Sequence, residues 1–114
     1  MAIYSQEILS RSQLLGARLE SLPNGFLITF LKNKLSQDDF ADAVSYIWEL
    51  ILETVYHASD PQLQIELNQL ASNNNFLELS EVLSGLVESS PELQILIWQI
   101  LETTSQDLKQ KYKI

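Results

Sequence analysis

The chain has 114 residues and no cysteine, and it holds one histidine, three glycines and three prolines. Without cysteine there is no disulfide, no thiolate metal ligand and no cysteine nucleophile. With His57 as the single histidine, a multi-histidine metal site is excluded within one chain. The glycines, Gly16, Gly25 and Gly85, are too scattered to form a phosphate-cradling loop. Serine is plentiful, but no Gly-x-Ser-x-Gly elbow occurs. No apolar run approaches the roughly 20 residues that a membrane-spanning helix needs. The longest helix-compatible runs cover only residues 26–31 and 95–98. The first residues, Met1 to Glu7, carry neither the basic nor the apolar region of a secretory leader, so a cytoplasmic protein is expected.

Positive charge is also scarce, and its distribution is uneven. Residues 1–34 hold Arg11, Arg18, Lys32 and Lys34 against Glu7 and Glu20, a net +2. Residues 35–108 hold no lysine or arginine against 13 acids, and Lys109, Lys111 and Lys113 follow, which leaves the chain at −8. A phosphate backbone is bound by neutralising it, and this sequence offers no basic face for the purpose. Neither direct nucleic-acid binding nor adsorption to an anionic membrane is expected. An acidic surface keeps a protein in solution, and it also speeds encounter with a basic partner protein.

Apolar residues make up 46% of the chain and charged residues 19%, which suits one folded domain over residues 1–114. Leucine (21) and isoleucine (10) far outnumber valine (4), a balance that favours helix over sheet. Helix punctuation recurs along the chain. Ser5 suits the cap of a first helix reaching about residue 21, with Ile8, Leu9, Leu15 and Leu19 on its apolar face. Leu22-Pro23-Asn24-Gly25 reads as a turn, with Asn-Gly tolerant of left-handed backbone. A short helix over 26–34 follows, with strand as the alternative over so few residues. Ser36 opens a third helix with Asp39 three residues on, and it ends near His57. Asp60-Pro61 opens a fourth, and residues 72–75 read as a polar loop. A fifth helix spans about 76–88, with Ser80 as a possible restart. Ser90-Pro91 opens the last, which reaches about residue 111, where lysines complement the negative helix end. The expected fold is all-α, a single compact antiparallel bundle of five or six helices.

Residues 59–65 and 89–95 share the pattern S-x-P-x-L-Q-I at an offset of 30. A solenoid needs about three copies, so the echo reads as two uses of one helix start. Asp38, Asp39 and Asp42 form D-D-x-x-D, which resembles the aspartate-rich motif of prenyl-diphosphate synthases over five residues. That resemblance implies a magnesium–diphosphate site, but the family's second acidic motif and its diphosphate-binding basic residues have no counterpart near this segment. The aspartates are therefore read as helix-start residues. Glu49, Glu53 and His57 stack at intervals of four, yet no Glu-x-x-His pair of a di-iron bundle occurs. No enzyme activity, metal or other cofactor is expected.

The features that favour binding are apolar. Seven of the nine residues from 93 to 101 are apolar: Leu93, Ile95, Leu96, Ile97, Trp98, Ile100 and Leu101. The third helix is similar, through Tyr46, Ile47, Trp48, Leu50, Ile51, Leu52, Val55 and Tyr56. A helix apolar all round must be covered all round, and a small chain has difficulty enclosing two of them. The expected interface residues are Trp48, Leu52, Tyr56, Ile97, Trp98 and Leu101. The expected partner is another protein or a second copy of the chain, with homo-oligomerisation anticipated. The expected function is that of a small acidic interaction module, an adaptor, assembly factor or regulator. The alternative is an inhibitor of the antitoxin or immunity type, presenting acidic surface to a basic partner or a nucleic-acid-binding site.

Overall fold

Local capping sets where most of the helices begin. Ser5, Ser36, Asp60, Asn75 and Ser90 each accept a hydrogen bond from the backbone N–H three residues on, satisfying a donor that the first turn leaves unpaired. The computed structural model, which describes residues 5–73 and 75–114, contains α1 (Gln6–Glu20), α2 (Phe26–Lys34), α3 (Gln37–His57), α4 (Pro61–Ser72), α5 (Phe76–Ser89) and α6 (Pro91–Tyr112). Among the described residues there is no strand, and the helices form an all-α bundle.

Four local readings are refined by the structure. Residues 26–34 are helical, as α2. In the turn before it, Asn24 takes the left-handed backbone, with φ of 69°, while Gly25 is right-handed. Gly25 is needed for a different reason: a Cβ there would collide with the carbonyl of Glu20. Ser80 does not restart α5, because its hydroxyl donates to the Leu77 carbonyl at 2.7 Å inside an unbroken helix. The expected loop over 72–75 begins later than anticipated, since α4 runs through Ser72; Asn74 lies outside the described residues.

The sequence echo corresponds to a repeated joint. The Gln64 amide donates to the Tyr56 carbonyl at 2.9 Å, and the Gln94 amide donates to the Glu88 carbonyl at 3.1 Å. Each glutamine reaches back to the last turn of the preceding helix, where carbonyls have no i+4 helical N–H; the Tyr56 carbonyl also accepts from the Ser59 N–H at 3.2 Å. The next turns match as well: Ile65 and Ile95 are exposed, while Leu67 and Ile97 are buried. The α3–α4 and α5–α6 corners are thus closed by the same device.

α3 is the centre of the bundle and touches every other helix. It buries Phe40, Ala41, Ala43, Val44, Ile47, Trp48, Ile51 and Val55. Against it, α1 approaches closely at Gly16, where a Cβ would lie 2.9 Å from the Phe40 ring. α6 packs on α2, α3 and α5 but not on α1. It buries the stripe Ile97, Leu101, Thr104, Ser105 and Leu108, at the spacing of one helical face. The chain therefore covers a broad face of α3, leaving Asp42, Ser45, Tyr46, Glu49 and Glu53 in solvent, and a narrower stripe of α6.

This division yields a stability prediction. Ile51 and Leu101 are both 0% exposed, so Ile51→Ala or Leu101→Ala should each cost about 2–5 kcal/mol in urea unfolding. Ile95→Ala, on the uncovered side, should stay within about 0.5 kcal/mol of the parent chain.

Candidate functional site

The uncovered side of α6 forms a ridge. Ile95 is 61% exposed, Trp98 46% and Leu96 39%, on a helix whose opposite face lies in the core. Residues 95 and 98 are one turn apart, so their side chains lie side by side. The Asn24 side-chain amide donates to the Trp98 carbonyl at 3.1 Å and ties the α1–α2 turn to the base of the ridge. Phe26, two residues further along, is 71% exposed. The ridge is thus apolar and held from behind by a hydrogen bond.

The six residues expected at an interface do not share one surface. Ile97 and Leu101 are core residues with no exposure. Trp48 is buried, and its indole N–H donates to the Leu15 carbonyl at 3.1 Å, joining α3 to α1. Leu52 and Tyr56 are half-buried, and the Tyr56 hydroxyl accepts from the Asn68 amide at 3.4 Å. Only Trp98 stands clear of the core. Ile95, Leu96 and Phe26 were not among the expected residues. For α6 the sequence does carry the relevant register, since 97, 101, 104 and 108 mark one stripe and place 95 on the opposite side.

A second apolar feature is concave. A cleft of about 230 Å³ opens between α1, α3 and α5. Leu15, Val44, Trp48, Leu52, Leu79 and Leu83 are among its apolar lining, and Arg11, Ser45 and Glu49 contribute polar groups that are exposed to solvent. Its α1 and α5 walls are stapled by Arg18. The guanidinium donates to the Leu77 carbonyl at 2.6 Å, to Ser80 Oγ at 2.6 Å and to Glu81 Oε1 at 2.9 Å. These are charge-assisted bonds spread over a planar fork, which fixes the angle between the walls. The polar atoms at the back of the cleft, Trp48 Nε1 and Ser80 Oγ, are consequently already engaged.

The charged candidates fall elsewhere. Asp39 sits in the first turn of α3, where its backbone N–H donates to Ser36 Oγ at 3.2 Å, and Asp38 lies beside it. Glu49, Glu53 and His57 are exposed along α3, with the His57 ring edge-on to Tyr56 at 5.7 Å. Among the described residues no group of three or more His, Asp or Glu side chains gathers as a metal site. The lysines, by contrast, are brought together from far apart. Lys34 and Lys109 both stand over the Phe30 ring, at 6.0 Å and 4.6 Å, so the ends of α2 and α6 form one basic pole. No helix of the described residues is long and apolar enough to cross a membrane.

No family model, curated protein or solved structure matches the chain. The chemistry available at its surface is therefore read from the geometry alone: an apolar ridge, an apolar cleft with a charged mouth, and a basic pole. Arg18 is the residue on which the cleft depends most directly. Arg18→Ala should cost about 1.5–3 kcal/mol in chemical unfolding, because it removes charged hydrogen bonds from a part-buried site. Arg18→Lys should recover less than half of that loss, since one ammonium cannot span the same three acceptors.

Proposed function

We propose that this protein is a small acidic protein-interaction module, an adaptor or regulator that works in the cytoplasm by binding and not by catalysis. The observation that carries the reading is the ridge of α6. Trp98 and Ile95 are large apolar side chains left in solvent beside one another, on a helix whose other face is fully committed to the core. Tryptophan loses little conformational entropy when it is covered and is enriched among residues that dominate binding energy. A polar substitution at an exposed position leaves the core intact, so the ridge can be tested without unfolding the protein.

A second reading rests on charge. Asp42, Glu49, Glu53, Glu66, Glu78, Glu81 and Glu88 are all exposed on α3, α4 and α5, and no lysine or arginine lies in that part of the chain. Such a surface suits an inhibitor that meets a basic partner. The two readings differ in salt response: a steered acidic contact weakens with ionic strength, whereas apolar helix contact is held.

The test is affinity capture of the tagged protein from its native lysate through a salt ladder, in parallel with Trp98→Asp. The expected outcome is a stoichiometric captured protein that persists to high salt and is lost from the variant, while the variant's melting temperature stays within a few degrees of the parent chain. Capture that is insensitive to Trp98→Asp overturns the ridge reading. Capture that is lost with salt in both proteins favours the acidic surface.

A further inference from the structure

We infer that the chain binds a second copy of itself head to tail, with the Trp98 ridge of one molecule seated in the α1–α3–α5 cleft of the next. The inference rests on the reading of the ridge as a binding surface and names its partner. Both halves of the contact are visible in one molecule, and they lie apart. Trp98 is 46% exposed and is not among the residues that line the cleft of its own chain, although α6 packs on the helices of the α3 and α5 walls.

Size and polarity match. A dry apolar cavity of about 150 Å³ accommodates benzene. The cleft, at about 230 Å³, has room for the larger bicyclic ring of an indole. Two of its polar atoms are taken: Trp48 Nε1 by the Leu15 carbonyl, and Ser80 Oγ by Arg18. The remaining polar lining is Ser12 and the exposed Arg11, Ser45 and Glu49, so the apolar interior gives a small polar ligand few of the donors that such ligands require of a pocket. An apolar side chain presented on a rigid helix needs no such donor.

The charges at the edges fit one orientation. Arg11 stands among the residues that line the cleft, and its pairing with Glu7, at 3.8 Å between largely exposed side chains, is loose. Glu102 follows Trp98 by one helical turn, on a stretch of α6 that carries no base before Lys109. Seating Trp98 with Glu102 toward Arg11 brings opposite charges together. Glu49, on the α3 side of the cleft, repels the reverse orientation. The contact thus sets Arg11, from the N-terminal part of one chain, against the acidic stretch of α6 of another, although the α3 and α5 walls of the cleft lie in the acidic part and the net charge of each chain is −8.

A ridge and a cleft on different faces make a heterologous contact, which either closes a ring or grows an open chain. A contact of this size is weak, so association is expected at high protein concentration. The test is sedimentation equilibrium on the full chain and on two variants, alone and mixed. Trp98→Asp disables the ridge. Ser45→Arg disables the cleft from an exposed position, its side chain reaching along α3 to Glu49 one turn on and across the mouth. The wild-type chain should grow past a dimer as concentration rises. Each variant alone should remain at 13.0 kDa, with self-affinity reduced at least about tenfold. An equal mixture should form a species of twice the chain mass and nothing larger, because one intact ridge meets one intact cleft. Matching circular-dichroism melts establish that both variants are folded, and Arg11→Glu replaces Ser45→Arg if that variant is not.

A wild-type chain that stays monomeric to millimolar concentration overturns the inference. So does a dimer that Trp98→Asp abolishes and the mixture does not restore, since that describes a two-fold contact of ridge on ridge. If the chain is monomeric yet a different protein is captured in a Trp98-dependent way, self-association fails while the interaction-module reading stands. If neither occurs, both fail.

Discussion

All five of the other helices pack on α3. Its buried residues span a face too broad for a single neighbour to hide, while Asp42, Tyr46, Glu49 and Glu53 leave the opposite face in solvent. The Gly16 contact with Phe40, the Trp48 bond to Leu15 and the fully buried Ile47 and Ile51 all follow from that requirement. With these helices packed on α3, none of the described helices covers the far side of α6. The exposure of Ile95, Leu96 and Trp98 is the direct consequence. A chain of this length has enough surface-burying capacity for one core, and the second broadly apolar helix sits at its boundary.

The same constraint shapes the cleft. α1 and α5 both lean on α3, and they are also held to each other by the polar fork of Arg18. A staple of that kind sets a spacing between walls without filling the space behind it. Ridge and cleft are thus two results of packing five helices against one.

Much of the fold was legible because its determinants are short-range. Ser5, Ser36, Asp60 and Ser90 act on backbone donors three residues away, and Pro61 and Pro91 accept a position that needs no N–H. The S-x-P-x-L-Q-I echo is likewise local, since each glutamine reaches a carbonyl of the preceding helix six or eight residues back. Legibility was poorer at the site. Ile47-Trp48 and Ile97-Trp98 look alike in sequence, and both helices look apolar all round. Nothing within a few residues of either tryptophan tells which one the bundle will cover.

What the sequence by itself determined is the set of helices, where each begins, and the segregation of charge along the chain. These depend on interactions within a turn or two and on composition. What only the tertiary structure decided is which apolar surface stays outside. Trp48 is buried because α1 crosses over it, Trp98 is exposed because nothing does, and Lys34 meets Lys109 on one ring because α2 packs on α6. Arg18 finds its acceptors 59 to 63 residues away. The physical reason is that a cap is satisfied by its own helix, whereas the burial of a side chain is a property of its neighbours, and those are chosen only when the whole bundle closes.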